Sequence, residues 1–154
     1  MKISDIMSKD VRTATPQATL KECLETLMKL RLNGLVVMEG EKVAGMVTKA
    51  DIFRAILPTQ ADICEDELLM KDLEYVEERI FKCLDAKVGK IMGAPPITVA
   101  GDLPMVKAGS IMIARSIKQL PVVDSGKLVG IITLSDILGV LLKKANGWGG
   151  EFLR

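Results

Sequence analysis

Thr133, Ser135 and Asp136 stand just ahead of an apolar run, and Thr48 and Asp51 stand in the same order 85 residues earlier. Each group follows a short apolar stretch that ends at the threonine, so each is expected where a buried strand passes directly into a helix. A hydroxyl and a carboxylate at a helix N-terminus meet free backbone N–H groups and the positive end of the macrodipole, a setting that favours anions. Thr-x-x-Asp is also the pattern of a capping box, in which the threonine caps the helix and the acid reaches back. Either reading accounts for both copies, and spacing alone does not choose between them.

The junction belongs to a longer repeat. Lys42-Val-Ala-Gly-Met-Val-Thr-Lys-Ala-Asp-Ile52 and Lys127-Leu-Val-Gly-Ile-Ile-Thr-Leu-Ser-Asp-Ile137 share Lys, Gly, Thr, Asp and Ile at a constant offset. Upstream, residues 3–7 are echoed by 88–92, and the short strands expected over 11–14 and 97–100 match Thr13 to Thr98. Thr19 and Glu22 form a capping box that opens a helix with apolar positions Leu20, Cys23, Leu24, Leu27 and Met28. The second copy has Met105, Ala108, Gly109, Met112 and Ile113 there; glycine costs up to about 1 kcal/mol in a helix interior, so Gly109 is expected where a neighbouring backbone comes close. Residues 35–38 and 120–123 read as strands, Glu39-Gly-Glu41 and Asp124-Ser-Gly126 as hairpin turns. Helices are expected over 49–57 and from 134 to about 146, with Pro58 ending the first.

These elements define the organisation. Residues 1–57 form one repeat, 58–87 an acidic helical insert, 88–146 the second repeat and 147–154 a Gly-rich tail. The fold class is α+β with α/β-type layers, two β-α-β-β-α repeats packed about a pseudo-two-fold axis. One repeat of about 50 residues is too small to bury its apolar faces alone, and a cleft between two copies is where ligands are expected. Within the insert, Leu69, Leu73, Val76, Ile80 and Cys83 step at helical spacing, a seam narrow enough for one helix partner. Residues 62–85 hold nine acids against three bases, read as a solvated helix face or as an intersubunit helix. Trp148 and Phe152 in the tail could dock on a partner.

Composition excludes several classes. With 49% apolar and 27% charged residues the chain is globular. Aromatics are 3% and net charge is +1, which argues against a nucleic-acid platform. No apolar run approaches the roughly 20 residues of a bilayer span, and the first residues are not those of a signal peptide. Cys23, Cys64 and Cys83 have no CxxC spacing, so free thiols in a reducing cytoplasm are expected. The sequence contains no histidine, hence neither the commonest general base nor the commonest metal ligand. No activated nucleophile, Walker-type glycine loop or cluster of metal ligands is legible, so no catalytic or metal-binding residue is assigned.

The two gapless copies, with Leu120-Pro-Val-Val-Asp124, a turn and the Lys-x-x-Gly-x-x-Thr-x-x-Asp-Ile pattern, resemble a tandem pair of cystathionine-β-synthase (CBS) domains over residues 3–57 and 88–145. The second copy is the closer fit, because the first has Val36 where the second has Pro121 and Ala50 where the second has Ser135. The resemblance implies a regulatory module, not an enzyme, that requires no cofactor and binds AMP, ADP, ATP or S-adenosylmethionine between the copies. It implies that Asp51 and Asp136 hold ribose hydroxyls, and that Thr48, Thr133 and Ser135 approach ribose or phosphate. Backbone near Thr13-Ala14 and Thr98-Val99 would frame the adenine, Lys118 or its counterpart Asn33 would meet phosphate, and Pro121 and Val122 belong to the adjoining strand. Apolar strand residues such as Val37, Val122 and Ile131 suit the flat faces of an adenine. The resemblance further implies a homodimer joined through helices, and an effector protein that reads the ligand state. Two other readings stay open: a dimerisation or docking scaffold with empty or degenerate clefts, favoured by Ala50 and the missing proline, and an RNA- or DNA-binding pair, for which only the basic balance of the repeats speaks.

Overall fold

Thr19 accepts a hydrogen bond from the Glu22 N–H at 3.2 Å, and Glu22 Oε2 accepts from the Thr19 N–H at 2.9 Å. This reciprocal cap starts α1 (Leu20–Lys29) in the computed structural model, which describes residues 1–57 and 73–147. Leu20, Cys23 and Leu27 fall on one face of α1 and are buried. The helix ends in a double hydrogen bond, Leu32 N–H to Leu27 O and Arg31 N–H to Met28 O, with Arg31 in the left-handed region. Ser116 closes the matching helix of the second copy in the same way.

The chain divides into two compact units. One comprises residues 12–96. It contains β1 (Thr13–Ala14), α1, β2 (Gly34–Glu39), β3 (Lys42–Thr48), α2 (Lys49–Ile56) and α3 (Leu73–Cys83). β1 runs parallel to β2, and β2 pairs antiparallel with β3 across the two-residue turn Gly40-Glu41. Leu20, Cys23, Leu27, Leu35, Val37, Val47, Ile52 and Val88 make its core. α3 packs on α2, with Val76, Ile80 and Cys83 half-buried and Glu74, Glu77 and Glu78 exposed. The described part of the acidic insert is therefore a helix with a solvated charged face. Pro58, Cys64, Leu69, the acids from Asp62 to Asp72, Trp148 and Phe152 lie outside the described residues.

The other unit comprises residues 1–11 and the chain from 97 onward. It contains α4 (Met105–Arg115), β4 (Gln119–Asp124), β5 (Lys127–Thr133) and α5 (Leu134–Gly147). β4 and β5 form the second hairpin, whose turn places Ser125 and Gly126 at positive φ, as a two-residue turn of this hand requires. Its core is Ile3, Val99, Ala108, Met112, Leu120, Val122, Ile132 and Ile137. The strand expected over 97–100 is reduced to a single bridge between Val99 and Val122. The cause lies in one residue: in the first copy the Val36 N–H donates to Arg12 O at 3.3 Å, and Pro121 at the equivalent place has no N–H to donate. Gly109 also departs from expectation. A Cβ there would lie 3.7 Å from the Ile137 side chain, an ordinary contact, and no backbone comes close.

The units cut across the repeats. Ile3 belongs to the first copy in sequence but is fully buried in the core built from the second. Val88 belongs to the second copy and is fully buried in the core built from the first. The hydrogen bonds match position for position: Ile3 N–H to Leu103 O at 2.9 Å, Val88 N–H to Ala18 O at 2.8 Å. Farther along, Ser8 bridges Ile131, and Gly93 bridges Met46, so each borrowed segment extends a hairpin edge. This explains the repeated glycine of the motif. A Cβ on Gly45 would lie 2.5 Å from Gly93 O, and one on Gly130 would lie 2.5 Å from Met7 Sδ and 2.9 Å from Ser8 O.

Candidate functional site

The two strand-to-helix junctions carry the polar groups that the sequence singles out. At the second, the Thr133 N–H and the Thr133 Oγ1 hydroxyl both donate to Asp136 Oδ2, at 2.8 and 2.7 Å. The Asp136 N–H in turn donates to Thr133 Oγ1 at 3.2 Å. At the first, Thr48 and Asp51 repeat the three bonds at 2.8, 2.8 and 3.2 Å. The capping box is thus real in both copies. It occupies one carboxylate oxygen, Oδ2, and leaves Oδ1 to face anything that arrives.

At Oδ1 the copies part. Arg54 Nη2 donates to Asp51 Oδ1 at 2.6 Å, an ion pair one helical turn apart whose side chains are 71% and 19% exposed. Gly139 stands where Arg54 would be, and Asp136 Oδ1 accepts no hydrogen bond among the described residues. Nothing in the sequence singles out Arg54 as a site residue. The signal was its i, i+3 spacing from Asp51, which is common on any charged helix.

The remaining candidates fall into two groups. Lys118 O accepts from the Leu134 N–H at 2.8 Å and Asn33 O from the Lys49 N–H at 3.0 Å, which pins both residues beside the helix starts with their side chains exposed. Lys118, Thr133, Ser135 and Asp136 are therefore gathered at one end of the β4–β5 hairpin, and Asn33, Thr48 and Asp51 at the matching end of β2–β3. The second group lies on β2 and β4 and on the segments that run parallel beside them. Thr13 and Ala14 pair with Val36 and Val37, and Val99 bridges Val122. Thr13 and Thr98 are exposed there, whereas Val99 and Pro121 are buried and Val37 and Val122 have no exposed surface. The expectation that Val37 and Val122 offer faces to an adenine does not fit this burial, since both side chains are spent in the cores; Ile131 is half-buried.

Nothing else in the described residues assembles reactive chemistry. No group of three or more acids and cysteines there could hold a metal ion. Burial pushes the Cys23 thiol up from its ordinary value, with the Glu22 charge adding to the effect, which is the opposite of an activated nucleophile. No helix among them is long and apolar enough to cross a membrane.

Comparison with known proteins follows the same outline. The CBS domain matches residues 3–58 and 88–143. An uncharacterised protein of Methanopyrus kandleri is 29% identical over 143 residues, covering 90% of this chain and 61% of its own length. An uncharacterised protein of Methanocaldococcus jannaschii is 29% identical over 156 residues, covering 92% of both. The chain thus spans under two thirds of the first of these relatives and nearly all of the second. The solved CBS domain pair of protein MJ0100, in complex with 5′-methylthioadenosine and S-adenosyl-L-methionine, is 25% identical with a TM-score of 0.72 and covers 94% of this chain and 98% of that one.

Proposed function

Because the chain belongs to the CBS domain family, we propose that it is a regulatory module which binds an adenosine-containing ligand through its repeated Thr-x-x-Asp junctions and passes the ligand state on by a change of conformation or assembly. The observation that carries this reading is Asp136: capped through Oδ2, with Oδ1 open, beside Thr133, Ser135 and Lys118 at a helix N-terminus. A carboxylate oxygen has two lone pairs and accepts from ribose hydroxyls with no need of a metal or a base. The helix N-terminus and Lys118 favour an anionic group such as phosphate beside it. Support also comes from the MJ0100 pair, which was solved with adenosyl ligands. The ligand class is therefore AMP, ADP, ATP, S-adenosylmethionine or 5′-methylthioadenosine, the setting a reducing cytoplasm, and the role regulatory, not catalytic.

A second reading rests on a different observation. Val106 and Ile113 on α4, and Leu138 and Leu142 on α5, are 67%, 79%, 55% and 63% exposed. Apolar side chains at such exposure on neighbouring helices suit a second copy of the chain or a partner protein. A homodimer built on these helices is compatible with ligand sensing, and an effector protein would read the outcome. Without ligand binding, the same surface would make the chain a scaffold.

Calorimetric titration of the wild type, Asp136→Ala and Asp51→Ala with each of the five ligands separates the readings. The sensor reading expects saturable binding that is lost or weakened at least tenfold in Asp136→Ala. A ligand at 100 times its dissociation constant adds about 2.7 kcal/mol of stability, visible as a raised melting midpoint. Absence of binding by all five ligands, with a concentration-dependent dimer, would leave the scaffold.

A further inference from the structure

The two copies share the three cap bonds to within a tenth of an ångström but differ at the one oxygen a ligand can reach. Asp51 Oδ1 is held by Arg54 Nη2 at 2.6 Å, and Asp136 Oδ1 is open because Gly139 has no side chain to hold it. We propose that Arg54 is a specificity-determining latch on the first copy's nucleoside subsite, so that the ribose diol must displace its guanidinium from Asp51 while the second copy fills without such a competitor. The inference rests on the reading that these carboxylates hold ribose.

The direction follows from occupancy. Oδ2 of Asp51 already accepts from the Thr48 N–H and hydroxyl, so its two lone-pair directions are taken. The two hydroxyls of a ribose diol together need both lone pairs of Oδ1, and at Asp51 one of these is held by a charge-assisted bond that has to break. The strength of the latch is limited by solvent. With Arg54 71% exposed, the pair belongs to the surface class. Such pairs are worth up to about 1 kcal/mol, which is about fivefold in affinity. The latch thus grades the two copies by a few-fold and does not close the first. It is also screened by salt, so the difference between copies narrows as ionic strength rises.

Gly139 makes the reciprocal test available. A Cβ added there meets nothing within 4 Å, and its backbone is not at positive φ, so Gly139→Arg restores the side chain that Arg54 supplies in the first copy without crowding. The probe is 5′-methylthioadenosine, which carries the ribose diol but no phosphate for a guanidinium to attract. It is titrated into Asp136→Ala with and without Arg54→Ala, to read the first copy, and into Asp51→Ala with and without Gly139→Arg, to read the second. The expected result is a two- to fivefold tightening from Arg54→Ala, a two- to fivefold weakening from Gly139→Arg, and loss of both effects in 1 M salt or with 2′,3′-dideoxyadenosine as probe. Unchanged affinities in both pairs, or weaker binding in Arg54→Ala, overturn the latch while leaving the sensor intact. If wild type and every variant bind no adenosyl probe, the sensor reading fails, and the latch with it.

Discussion

At the scale of single residues, the Thr-x-x-Asp pair serves as cap and candidate receptor at once, because the two oxygens of one carboxylate point to different tasks. Oδ2 completes the helix start in both copies, and Oδ1 is the variable. The two tasks are separable by substitution. Thr133→Ala removes the hydroxyl that accepts from the Asp136 N–H, and loss of such a cap costs about 0.5–2 kcal/mol; a urea melt should show a lower midpoint with an unchanged slope. Asp136→Asn keeps an oxygen able to accept from the Thr133 N–H while removing the charge, so it should retain stability to within about 1 kcal/mol yet lose adenosyl binding. An Asn variant that melts like wild type and binds like wild type would return Asp136 to a purely capping role. The cap was legible because it is a fixed-spacing pattern. The difference between Asp51 and Asp136 was not, since a sequence names Arg54 but not the direction in which its side chain turns.

At the scale of elements, the short β-branched apolar runs and turn residues locate β2, β3, β4 and β5, and the fixed offset carries each assignment to its twin. What such a pattern cannot carry is a bond that one residue type lacks, and Pro121 turns an expected strand into a bridge for that reason. Glycines show the same limit in sharper form. Gly109 in a helix reads as a site of close approach and is not one, whereas Gly45, which the sequence marks only as a repeated position, is. Gly45→Ala should destabilise by about 1–3 kcal/mol, the range for overpacking, because the obstacle is the rigid carbonyl of Gly93. Gly130→Ala should cost less, since the nearest atom is the movable Met7 Sδ with Ser8 O behind it. Gly109→Ala should instead raise stability by about 0.5–1 kcal/mol through helix propensity. Chemical denaturation of the three variants checks the order; an equal loss in Gly45→Ala and Gly109→Ala would contradict it.

At the scale of the whole molecule, the repeat seen in sequence and the units seen in structure are different objects. Residues 3–7 and 88–92 look like mere openings of their own repeats, because a short apolar motif states that it will be buried but not in which core. Ile3 and Val88 are each buried with the other copy's strands and helices, so neither core is complete within one repeat. The consequence is measurable by native-state hydrogen exchange, which resolves stability element by element. Ile3→Ala opens a cavity worth about 2–5 kcal/mol, and the protection lost should be that of β4, β5 and α5, over a hundred residues away in sequence, with β2 and β3 keeping theirs. The same logic orders the fragments: residues 12–96 contain Val88 and the whole of one core, so they should unfold cooperatively where residues 1–57 do not. A drop in β2 and β3 protection on Ile3→Ala would mean that Ile3 supports the repeat it starts. Asp136 rides on the first turn of α5, so the placement of the carboxylate whose Oδ1 is open depends on a side chain more than a hundred residues away in sequence, and Ile3→Ala should weaken adenosyl binding without touching the site.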